Sequence, residues 1–200
     1  QAGQPRGMSQ ALFPAWRPSA DGRAALATLS QRLQTARPLD APSLQLRRPD
    51  QWHVTLCYIG NGLSPCVPAA LRDAFASAAA RVPPHAWTIE RLAYWHHSGA
   101  VVALPAPCPS LQALCDATRD AIRRAGIVPT AVTTRPHLTL AYLDRGLPAQ
   151  AWLGAVDCPG VMFQVEHFEL LFNPGGRYEA LGTWPLTGTT PPPHQETLFP

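Results

Sequence analysis

His53-Val54-Thr55-Leu56-Cys57-Tyr58 and His137-Leu138-Thr139-Leu140-Ala141-Tyr142 carry histidine, threonine, leucine and tyrosine at the same offsets, so the chain states one short pattern twice. Residues two apart on a strand point to the same face; each copy therefore sets an imidazole beside a hydroxyl while the residue between them turns away. An imidazole can hold or lack a proton near neutral pH, so one histidine can take a proton from a nucleophile while the other gives one to a leaving oxygen. Threonine hydroxyls, helped by an arginine or by backbone N–H groups, can hold non-bridging phosphate oxygens and the charge of a five-coordinate transition state. A single such strand would read as a sheet histidine beside a β-forming threonine. Two copies turn the reading toward phosphate chemistry, with no metal required.

The elements that must position these residues are legible from periodicity and punctuation. A short strand is expected from Ser9 to Trp16, with Pro14 calling for an edge or a bulge. Ser19 can cap a helix that carries Leu26, Leu29 and Leu33 on one stripe and ends by Pro38. After the first motif strand, closed by Gly60-Asn61-Gly62, an Ala-rich helix is expected from Pro65 to Val82, stopped by Pro83-Pro84. Residues 87–104 read as a hairpin turning at Ser98-Gly99. A third helix, 109–125, has Pro109 in its first turn, Arg123 and Arg124 in its last, and Gly126 as its cap. The second motif strand follows, then FQVEHFELLF and RYEALGTWPL around Asn173-Pro174-Gly175-Gly176. The order β-α-β-α-β-β-α-β-β-β, with its adjacent hairpins, is that of an α+β protein with largely antiparallel sheets.

Composition narrows the chemistry. The chain has 200 residues and 16 basic side chains, every one of them arginine. Lacking lysine, it has no means of forming a lysyl-adenylate, a Schiff base or a Walker A phosphate loop. A net charge of +3 is too small to coat a nucleic acid but suits a local anion pocket. Five cysteines, with no C-x-x-C pair and no histidine at zinc spacing, point to a reduced, cytoplasmic chain without a metal site. Neither a secretory h-region nor a membrane span is indicated.

Two H-x-T-hydrophobic strands separated by a helical segment resemble the two-histidine (2H) phosphoesterase superfamily, and within it the 2'-5' RNA ligase family of RNA 2',3'-cyclic phosphodiesterases. Leu12-Phe13, Asp50, Pro136 directly before His137, Tyr178 and Trp184-Pro185-Leu186 add to the resemblance, which spans about residues 9–187. It implies a single bilobal α+β domain over 9–187, with pseudo-two-fold symmetry, two mainly antiparallel sheets flanked by helices, and a central cleft. Residues 1–8 would be an N-terminal extension and 188–200 a Pro-rich flexible tail. It implies hydrolysis of a 2',3'-cyclic phosphate to a 2'-phosphate without metal or cofactor, by a monomer, with His53 and His137 as catalysts and Thr55 and Thr139 as phosphate-binding residues. His137 is assigned as the base and His53 as the acid, an assignment that the pseudo-symmetry allows to be exchanged. Any joining of RNA ends would be ATP-independent.

Departures from the pattern set further expectations. Members of this family often carry arginine where this chain has Tyr142, so the guanidinium that grips phosphate must come from elsewhere, with Arg145, Arg135 and Arg177 as candidates. Tyr58 is expected in the core or the cleft wall, and Trp52 on the far side of the sheet. Arg47-Arg48 reads as solvated surface or as a contact to an RNA backbone, and the remaining histidines as structural or solvated. Other uses of the same site are a small cyclic nucleotide or 2',5'-oligoadenylate as substrate, or RNA-end binding with little catalysis.

Overall fold

The computed structural model describes residues 10–146, 148–158 and 160–190; the N-terminal extension, Ser9, and the tail from residue 191 onward, with His194, lie outside them. Strand β1 (Ala11–Trp16) leads into helix α1 (Ala20–Ala36), whose first turn is capped as expected, the Ser19 hydroxyl accepting from the Gly22 amide. Strand β2 (Gln45–Leu46) and a 3-10 turn (Pro49–Gln51) precede the first motif, which divides into β3 (Val54–Thr55) and β4 (Cys57–Tyr58). Helix α2 (Ala69–Ala79), the hairpin β5 (His85–Trp95) and β6 (Ala100–Pro105), and helix α3 (Pro109–Arg124) follow. Then come β7 (Ala131–Val132), the second motif strand β8 (Leu138–Tyr142), a one-turn helix α4 (Gln150–Leu153), β9 (Met162–Val165), β10 (His167–Asn173) and β11 (Glu179–Pro185). Gly99 turns the β5–β6 hairpin at φ +78°, where an added Cβ would run into the Leu143 carbonyl oxygen.

The fold is α+β. The two expected half-sheets are continuous: β11-β10-β1-β3-β8-β6-β5-β9 form one curled antiparallel sheet, with β2 also beside β8 and a separate β4-β7 pair. The seam between the halves is the pairing of Val54 with Leu138, leaving four strands on each side. FQVEHFELLF, expected as one strand, is two. Residues 162–165 pair with β5 at the far end of one half, and 167–173 pair with β1 and β11 in the other. The chain crosses between halves at Glu166, a change of partner that no local hydrophobic pattern encodes.

Pro14 occupies an interior strand and meets its requirement through a bulge. Ala15 pairs with Thr55 and Leu12 with Gly60, so three steps on β1 span five on its neighbour, and the break between β3 and β4 falls opposite the missing N–H. One face of the sheet packs on the helices, burying Trp16, Val54, Leu56, Leu138 and Leu140 with Leu26, Phe75 and Leu114. Trp52 joins this core, as expected. The other face carries two small apolar clusters, one of Ala11, Phe13, Ala15 and Leu171 with Tyr58 and Tyr178, the other of Ala93, Ala100, Val102 and Leu104 with Trp95.

Candidate active site

Alternation along β3 and β8 decides where the motif residues go. Since Val54 and Leu138 are paired and fully buried, their neighbours His53, Thr55, His137 and Thr139 share the opposite face. Antiparallel register then sets His53 across from Thr139 and Thr55 across from His137. All four are half-buried, and the two apolar clusters stand on either side of them. The four residues of the repeated pattern thus stand together.

Each imidazole is held through Nδ1. His53 Nδ1 lies 2.7 Å from the Gln51 carbonyl and His137 Nδ1 lies 3.1 Å from that of Arg135. A carbonyl only accepts, so both Nδ1 atoms carry hydrogen, and the neutral rings present Nε2 as a lone pair. His53 Nε2 is 3.1 Å from the Thr55 hydroxyl; His137 Nε2 has no hydrogen-bond partner among the described residues. Rings fix the remaining freedom. Phe13 and Tyr178 pack on His53 with centroids 5.2 and 5.1 Å away, and Trp95 packs on His137 at 4.3 Å.

The two sites differ electrostatically. Burial pushes His53 down to about 4, and the nearby positive charges of Arg47, His137 and Arg17 add to the fall against the opposing Gln51 hydrogen bond. His137 is also lowered, first by burial and then by Arg135, against the Arg135 carbonyl. Both imidazoles are therefore neutral when the cleft is empty at pH 7.

Three arginines act at this face, in different states. Arg17 is saturated by a bidentate ion pair with Glu169 at 2.8 and 2.7 Å. Arg135 lies over the Trp95 ring, 5.8 Å from its centroid. Arg47 lies 5.6 Å from the Tyr142 ring centroid and 3.4 Å from the Tyr178 hydroxyl, and His53 feels its charge. Sequence reasoning assigned Arg47 to surface or RNA contact, placed Phe13 only as part of an early strand, and gave Trp95 no role; their proximity to the histidines arises from long-range strand pairing. Of the expected contacts, Tyr142 and Arg135 are at the cleft, whereas Arg145 is exposed beside the Gly99 turn. Arg48 is drawn away by Asp50, at 3.1 Å, and by the Gly176 carbonyl. Tyr58 stacks on Phe13 in the cleft wall. Among the described residues no group of three or more His, Cys, Asp or Glu side chains could hold a metal ion, and no helix is long and apolar enough to cross a membrane.

The 2'-5' RNA ligase superfamily model matches residues 24–177, which include both motifs. The chain belongs to that superfamily. No curated protein matches it. Among solved structures, the superfamily fold is shared with Escherichia coli LigT in apo form, at 24% identity and TM-score 0.65 over 89% of this chain and 98% of that one. TT0787 of Thermus thermophilus superposes at TM-score 0.66 with 21% identity, covering 90% of this chain and all of the other. The MHV ns2 PDE domain is more distant, at TM-score 0.51 and 13% identity, over 82% of this chain and 99% of that domain. Membership in the 2'-5' RNA ligase superfamily makes this chain a phosphoesterase or ligase.

Proposed function

We propose that this cleft hydrolyses RNA 2',3'-cyclic phosphate ends to 2'-phosphates by metal-independent acid and base catalysis, in a cytoplasmic monomer. The observation carrying this reading is the opposition of two His-Thr pairs on one sheet face, each imidazole fixed by its Nδ1–H so that Nε2 is the working atom. An anionic cyclic phosphate bound between them raises both imidazoles' affinity for a proton, and His137, lowered by the charge of Arg135 alone where His53 is lowered by those of Arg47 and Arg17, takes it first. This favours the exchanged assignment, with His53 as base and His137 as acid. Thr55 turns its hydrogen to a phosphate oxygen, freeing His53 Nε2 to take a proton from water. The water oxygen bonds to phosphorus, the bond from phosphorus to the 3' oxygen breaks, and His137 gives its Nε2 proton to that oxygen. The product keeps its phosphate on the 2' oxygen, and solvent exchange resets the two rings.

Arg47 is proposed to supply the guanidinium that position 142 lacks. It is the cleft arginine without an ion-pair partner among the described residues that lies on the His53 side, and Tyr142 and Tyr178 hold it there. Thr139, across the seam from His53, is the second hydroxyl proposed to hold the phosphate, beside Thr55. Should ends also be joined, a chain without lysine would do so by reversing this transesterification, with the cyclic phosphate as the activated group. The second reading, a small nucleotide as substrate, has one supporting finding, that Escherichia coli LigT has been crystallised with 3'-AMP and with ATP.

Phosphorus NMR of a cyclic-phosphate-ended oligonucleotide incubated with the protein tests the reading. A 2'-phosphate signal that is absent with His53→Ala and with His137→Ala is expected. A 3'-phosphate product, or full activity in either variant, would overturn it.

A further inference from the structure

A cavity of about 440 Å³ opens beside the second motif, walled by the residues directly before His137, by the end of β6 and by the start of α3. Strand register places it relative to the chemistry. Ala103 pairs with Leu138, so Leu104 is next to His137, and Leu104 pairs in turn with Arg91. His137, Leu104 and Arg91 therefore form one row across the cleft face, with Arg91 two strands, or roughly 10 Å, from the histidine. Arg91 and Arg135 both line the cavity, and among the described residues neither has an ion-pair partner. Glu90 lines it too, leaving an excess of one positive charge. Pro105, Pro107 and Pro136 give it flat apolar walls, and Gln112, whose amide nitrogen donates to Asp116, keeps its carbonyl oxygen for another donor.

A slot with apolar walls, two arginines in its lining and one amide acceptor suits a nucleotide: phosphate on the arginines, base between the prolines, a base N–H on Gln112. The volume is within the range of small-ligand sites and is enough for one nucleotide. A cyclic phosphate terminates a strand, so only one neighbour exists to fill such a slot.

We infer that this cavity is the seat of the penultimate nucleotide of an RNA strand, with Arg91 and Arg135 holding the phosphodiester that joins it to the reacting end. The inference rests on the proposed RNA-end reading and makes the substrate an oligonucleotide in preference to a free cyclic nucleotide. It distinguishes the two halves of the cleft. On the opposite side the arginine adjoining His53 in register, Arg17, is neutralised by Glu169, whereas Arg91 and Arg135 beside His137 have no ion-pair partner among the described residues and are available to a second phosphate.

Binding separates this inference from the catalytic one. Calorimetric titration with 3'-AMP and with ApA bearing a 3'-phosphate should show the dinucleotide binding wild type about tenfold tighter. Arg91→Ala, at an exposed position, and Ala106→Trp, which fills the cavity, should each abolish that advantage while leaving 3'-AMP affinity within about twofold. The salt slope for the dinucleotide should fall by about 0.7 in Arg91→Ala, as expected for one lost phosphate contact on a single strand. Equal affinities in wild type, or an Arg91→Ala effect that is the same for both ligands, would overturn the subsite. An intact dinucleotide advantage in a protein that hydrolyses no cyclic end would support the subsite and overturn the hydrolase reading alone.

Discussion

The Nδ1–H of His53 donates to the carbonyl oxygen of Gln51 at 2.7 Å, and this bond fixes which ring nitrogen can work. The same arrangement recurs between His137 and Arg135, so the cleft holds two Nε2 atoms that differ in burial and in the charges around them.

Division of labour between the two rings can be read from leaving groups. His53→Ala and His137→Ala should each lose roughly 10²- to 10⁴-fold in turnover of 2',3'-cyclic ends, with circular dichroism unchanged. Nitrophenolate departs without a proton. On bis(p-nitrophenyl) phosphate, His137→Ala should therefore keep most of its activity and His53→Ala almost none. The reverse pattern would restore His137 as the base.

pH should act on rate and on stability in separable ways. In the empty enzyme both imidazoles lie below the usual 6.5, so the alkaline limb of kcat/KM should fall below that value as the acid loses its proton. For stability, His53 in the folded chain stays neutral down to about 4, while in the unfolded chain it takes a proton near 6.5. The unfolded state then binds more protons across that window. Stability contributed by this residue is full above pH 6.5 and is lost on acidification toward 4, by up to about 3 kcal/mol. Urea denaturation at the two ends of the window should show a smaller gap for His53→Asn than for wild type.

Arg47→Ala should lower kcat/KM by about 10²-fold, the usual effect of removing one donor to a developing oxyanion. It should also raise the pKa of His53, since the Arg47 charge lowers it. NMR titration of the His53 ring reports that shift directly.

Glu169 is buried to 9% exposure, and its two oxygens take both hydrogen bonds from Arg17. Glu169→Ala leaves a half-buried guanidinium unpaired beside the cleft and should cost about 2 kcal/mol in a denaturant melt. Glu169→Gln keeps an acceptor and should cost less.

Legibility in the sequence followed the range of the interactions. Ser19 and Gly126 mark helix ends because capping is local chemistry, and α1 and α3 begin and end where those residues place them. The motif residues were legible because a strand's two-residue alternation sets His53 and Thr55 on one face whatever the partner. What could not be read was which strand lies beside which. The split of FQVEHFELLF at Glu166, the continuity of the two half-sheets at Val54 and Leu138, and the arrival of Trp95 on His137 and Arg47 on Tyr142 all depend on partners distant in sequence.

Strand β1 is among the first segments of the chain, yet it is sandwiched between β3 and β10, whose residues are separated from it by very different stretches of polypeptide. During synthesis, Phe13 and Arg17 leave the ribosome long before Leu171 and Glu169 exist to cover them. The half-cleft that holds His53 therefore stays open at one edge until β10 has been synthesised, whereas β5, β6 and β8, which support His137, can assemble earlier. A nascent chain stalled before residue 167 would expose an apolar strand edge, a target for chaperones and a source of aggregation, and the two histidines of one active site would mature at different times.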